Sequence, residues 1–79
     1  MRVKVLLFAS LRQAAGQSEL ELELPDASSV RTAADVLRGR LEELRLDGVM
    51  CAVNERYADP STALREGDTV AFLPPVSGG

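Results

Sequence analysis

The chain has no histidine and no tryptophan, one cysteine, one lysine and three aromatic residues among its 79. With Cys51 alone, no internal disulfide can form, and without histidine the common zinc-ligand spacings are missing. The same absence removes the most frequent general base and most nucleophile–base pairs. Any chemistry has to come from carboxylates, hydroxyls, the thiol or the chain ends, and no bound metal or cofactor is expected. Nine basic against twelve acidic residues leave a net charge of −3, the wrong sign for binding a phosphate backbone. Phe8, Tyr57 and Phe72 are too few for a base-stacking platform, so nucleic acid is not an expected partner. The longest apolar run, Val5 to Ala9, cannot span a bilayer. Arg2 and Lys4 lead into an apolar alternation and not into a secretory leader, so a cytoplasmic setting away from membranes is expected.

What is present reads as one small domain, which buries only about 60% of the surface its unfolded chain exposes. Arg2 to Phe8 alternates with β-branched valines, placing Val3, Val5 and Leu7 on one face and Lys4, Leu6 and Phe8 on the other. Ala9 to Gln17 breaks this pattern as a short helical turn or loop. Ser18 to Leu24 alternates strictly, with Glu19, Glu21 and Glu23 forming the solvated face of a strand near the sheet edge, where charge discourages pairing by other chains. Ser29 is the expected N-cap of a helix, and Thr32 at N3 argues against a full capping box. Val30, Ala33, Ala34, Leu37, Leu41 and Leu44 then recur at helical spacing to about Leu44, with Arg38 and Glu42 as a surface pair. Gly39 inside that helix costs up to about 1 kcal/mol relative to alanine. Val49 to Val53 reads as a short buried strand in which the Cys51 thiol is inert packing. Thr69 to Leu73 is the last strand, and Pro74-Pro75 prevents its continuation. Two strands, one long helix and two strands make a two-layer α+β domain, here residues 1–75, followed by an extended tail, 76–79.

The tail is the most informative segment. Two prolines favour a stiff, extended exit, and Ser77, Gly78 and Gly79 add almost no bulk. An ionised carboxylate on such a stem can thread a narrow active site, because glycine has no Cβ to meet its walls. The chemistry this points to is activation: the carboxylate attacks ATP to give an acyl-adenylate that a nucleophile opens. The plain alternative is an inert chain end.

PPVSGG after TVAFL, with LREGD upstream, resembles the ending of the small subunits of molybdopterin synthase. The start agrees: LFASLRQAAG places Phe8, Ala9, Arg12 and Gly16 where that family carries the same residue types, and AVN at Ala52 to Asn54 also matches. Gln13 and Ser77 depart from the acid and the threonine frequent there. The resemblance covers the whole chain and implies a ubiquitin-like β-grasp fold. It also implies a sulfur-carrier role for a chain with no active site of its own. A ubiquitin-activating-like adenylating enzyme, using ATP, would activate Gly79, with Gly78 its required neighbour, and a sulfur donor protein would convert it to a thiocarboxylate. The tail would then enter the synthase large subunit, in a complex of two small and two large subunits. There it would supply sulfur to cyclic pyranopterin monophosphate, making the molybdopterin dithiolene. The alternatives are a sulfur carrier for thiamine thiazole synthesis, a ubiquitin-like protein modifier, and a β-grasp interaction domain with an inert tail.

If first and last strands are neighbours, as that fold implies, strand alternation joins Leu6 and Phe8 with Ala71 and Leu73 in one apolar patch beside the root of the tail. Phe8 and Leu73, with Arg12 at the rim, are then the expected anchors for partners, and Pro74, Pro75, Val76 and Ser77 the stem that enters them. The competing expectation is that Ala9 to Gln17, or the connection around Leu64, folds over the patch.

Overall fold

The computed structural model describes residues 1–42 and 44–75. Strands β1 (Arg2–Leu7), β2 (Glu19–Glu23), β3 (Met50–Val53), β4 (Arg56–Ala58) and β5 (Thr69–Leu73) form one mixed sheet in the order β2-β1-β5-β3-β4. The first and last strands run parallel at its centre, with Val5 opposite Val70 and Leu7 opposite Phe72. All other pairings are antiparallel.

Period-two alternation sends Val3, Val5, Leu7, Leu22, Val70 and Phe72 to one face, where all are buried against Val30, Ala33 and Leu37 of α2 (Val30–Arg40). Each such aliphatic or aromatic side chain contributes about 1.5–3 kcal/mol on burial. As expected, β2 is an edge strand. Its glutamates face solvent, and Arg2 lies 3.6 Å from Glu21 and 3.3 Å from Glu23. From the C-terminal turn of α2, Arg40 donates to the Glu21 carbonyl at 3.1 Å.

Several expectations need correction. Of the two readings of Ala9 to Gln17 the helical one holds, and is longer than a turn: Ala9–Ala15 form a helix, α1, closed by Gly16 at φ 74°, whose N–H donates to the Arg12 carbonyl at 2.9 Å. Helix α2 ends at Arg40 and not near Leu44. Continued helix would have turned Leu46, about 200° from Leu44, toward solvent; leaving the helix buries both leucines from the loop. With Glu42 outside the helix, Arg38 pairs with Asp35 at 3.1 Å. Thr32 does take the capping-box role: its hydroxyl accepts from the Ser29 N–H at 3.3 Å. Strand β3 is only partly buried, with Met50 52% exposed. Strand β4 was not anticipated, because three residues are too few to show alternation.

Candidate functional site

Among the described residues, the sheet face opposite α2 is open. One row crosses all five strands on it: Glu19, Leu6, Ala71, Ala52 and Tyr57 are successive register partners. Leu6, Phe8, Ala71 and Leu73 line a shallow hollow of about 780 Å³ here, as the alternation of β1 and β5 requires. Neither loop covers it. Leu11 of α1 turns into the core, as does Leu64, and Phe8 remains 43% exposed. Arg12 is exposed on α1 but is not among the residues lining the hollow. The sequence reading missed the far half of this face, Ala52, Asn54, Glu55 and Tyr57. Alternation of Met50 and Ala52 against Cys51 and Val53 was the available signal.

Two local devices aim this face. Phe8 is extended, but Ala9 after it has φ 50°, a left-handed conformation costing a non-glycine residue about 1–2 kcal/mol. The chain thereby leaves β1 abruptly and enters α1 while Phe8 stays on the open face. On the other side, Asn54 locks the β3–β4 turn to β5: its N–H donates to the Thr69 carbonyl at 2.8 Å, and its Oδ1 accepts from the Thr69 N–H at 3.0 Å. Asp68 receives the Asn54 amide through one oxygen and the Arg65 N–H at 2.8 Å through the other. The AVN and LREGD segments therefore meet in space.

Leu73, at the end of β5, leads directly from the hollow into Pro74 and Pro75. The Pro75 ring rests on the Asp47–Gly48 turn, its Cγ 3.8 Å from where a Cβ on Gly48 would lie, and Gly48 has φ 71°. Val76, Ser77, Gly78 and Gly79 lie outside the described residues. Cys51 is half-buried on the helix side of the sheet, and burial pushes its thiol pKa up, away from the thiolate a nucleophile needs. Among the described residues no helix is long and apolar enough to cross a membrane.

A mixed sheet with its first and last strands parallel at the centre, gripping one long helix, is the ubiquitin-like β-grasp architecture. The crystal structure of SAMP1 from Haloferax volcanii has the same fold, with a TM-score of 0.88 at 28% identity over 100% of both chains. The chain belongs to the ThiS family, whose model matches residues 5–79. A Chlamydomonas reinhardtii protein named molybdopterin synthase sulfur carrier subunit is 40% identical over 86 residues, covering 100% of each. A chain in the protein–protein complex of subunits 1 and 2 of molybdopterin-converting factor from Helicobacter pylori matches with a TM-score of 0.73 at 27% identity, again over 100% of both. The expected fold and family resemblance are borne out.

Proposed function

We propose that the chain is the sulfur-carrier small subunit of a molybdopterin synthase. The observation that carries this reading is the end-to-end match to a sulfur carrier subunit. The open apolar face beside the root of the tail supports it. In this role Gly79 is the reacting residue. Its carboxylate oxygen attacks the α-phosphorus of ATP on a ubiquitin-activating-like adenylating enzyme, releasing pyrophosphate. Hydrosulfide released by a donor protein then attacks the acyl carbon and displaces AMP, leaving a thiocarboxylate. Gly78, Ser77 and Val76 form the thin stem that enters the large subunit, where the sulfur passes to cyclic pyranopterin monophosphate. The large subunit supplies the pocket, so this chain is the donor and not the catalyst, and the cytoplasm is its place of work. The Helicobacter pylori complex of subunits 1 and 2 supports a large-subunit partner. Phe8 and Leu73 anchor that partner on the open face, with Arg12 outside the hollow as a peripheral contact.

A second reading is favoured by similar structures titled small archaeal modifier protein 1: the same activated Gly79 carbonyl would be captured by a lysine amine of another protein. Intact-mass spectrometry of protein from its own host separates the two. An oxygen-for-sulfur mass change located at Gly79 is the expected result. Lysine conjugates without it would overturn the carrier reading.

A further inference from the structure

The hairpin at the far edge of the open face is built against the preferences of one of its own residues. Its two central positions, Asn54 and Glu55, have φ of 50° and 71°, the consecutive left-handed conformations of a two-residue type I′ turn. Asparagine tolerates this region and here is held by Thr69 and Asp68. Glutamate does not: its Cβ crowds the backbone, and glycine is the residue such a position favours. No ion pair compensates, since Glu55 forms none among the described residues. Glu55 and Tyr57, two residues on, both line the open hollow, and Tyr57 is 76% exposed. Backbone strain retained beside a binding face directs attention to what the side chain supplies.

A carboxylate without an ion-pair partner and an exposed aromatic residue that line one hollow together suit one chemistry best. A guanidinium is planar, pairs with a carboxylate through its fork and stacks on an aromatic face; an ammonium lacks the plane and the fork. We propose that Glu55 and Tyr57 form a receptor for an arginine side chain of the large subunit, and that this contact fixes the partner's register across the sheet. The inference rests on the reading that the large subunit docks on the open face. Phe8 and Leu73 then supply the apolar anchor near the tail, and the hairpin supplies the charged one at the opposite edge.

The test is calorimetric titration of the cognate large subunit against five variants of the full chain, Glu55→Gly, Glu55→Gln, Tyr57→Leu, the Glu55→Gln/Tyr57→Leu double variant and Phe8→Ser, with a thermal melt of each. Glu55→Gly relieves the left-handed strain, so its Tm rises by roughly 4 °C, while its affinity falls about five- to tenfold. A purely structural role would move stability and affinity in the same direction. Glu55→Gln keeps the strain and loses the charge, so its affinity deficit at low salt shrinks at high salt. Tyr57→Leu weakens binding, and adding Glu55→Gln to it costs less than in the wild-type background. Wild-type affinity in Glu55→Gly beside a weakened Phe8→Ser would overturn the arginine receptor and leave the docking reading standing. Unchanged affinity in Phe8→Ser as well would overturn both.

Discussion

The Asn54 amide donates to an Asp68 carboxylate oxygen at 2.9 Å, tying the β3–β4 turn to the start of β5 across 14 residues of chain. With its Oδ1 on the Thr69 N–H, Asn54 carries the β3–β5 ladder one step past the Val53–Val70 pair. Asn54→Ala removes both side-chain bonds and puts alanine in a left-handed conformation. The two losses together cost about 2 kcal/mol. Asn54→Gly keeps the turn and loses only the bonds, so it falls near half that value. Urea denaturation midpoints of the two variants separate these contributions, and equal midpoints would contradict the division.

Phe8 and Leu73 both line the open hollow and lie outside the buried core cluster. Phe8→Ser and Leu73→Ser each leave the circular-dichroism spectrum native and weaken large-subunit binding by about 1–3 kcal/mol. Native binding by both folded variants places the docking surface elsewhere.

Gly39 sits inside α2, and a Cβ built there meets nothing within 4 Å. Neither packing nor a left-handed φ requires glycine. Gly39→Ala stabilises the domain by up to about 1 kcal/mol through helix propensity, seen as a Tm increase of several degrees in calorimetry. A lowered Tm would show that the position serves something other than the helix.

Hydrogen bonds from Ser61, through both its hydroxyl and its N–H, and then from Thr62 hold the Asp59 carboxyl below its ordinary value of 3.8. A folded-state pKa below the unfolded one stabilises the fold above the unfolded value, and the benefit fades as pH falls through the folded one. The stability gap between wild type and Asp59→Asn is therefore flat above about pH 5 and narrows below about pH 4. Denaturant titrations at a series of pH values test this; a gap that widens in acid contradicts it.

Sequence periodicity was enough to place β1, β2, α2 and β5, because each runs five residues or more with one face against the core. The patch of Leu6, Phe8, Ala71 and Leu73 followed from alternation once the first and last strands were taken as neighbours. Strand pairing itself is not written in local pattern: Leu6 and Ala71 are 65 positions apart and are joined by a ladder. The end of α2 was misplaced because Leu44 fits the helical stripe yet reaches the core from a loop. Tyr57 and Glu55 escaped notice because β4 has only three residues and its turn is made by Asn-Glu, not Asn-Gly.

The parallel ladder joining residues 4–7 to residues 69–72 places the last strand of the domain to be synthesised at the centre of the sheet. Until Thr69 to Leu73 has left the ribosome, Val5 and Leu7 have no neighbour on one side and β3 has only β4 to pair with. A nascent or prematurely terminated chain lacking β5 therefore exposes two unpaired strand edges, the condition that proteases and chaperones recognise. The same geometry couples maturation to use. Completing the fold and setting Leu73 on the open face are one event, so in the proposed role only a folded chain presents its docking face.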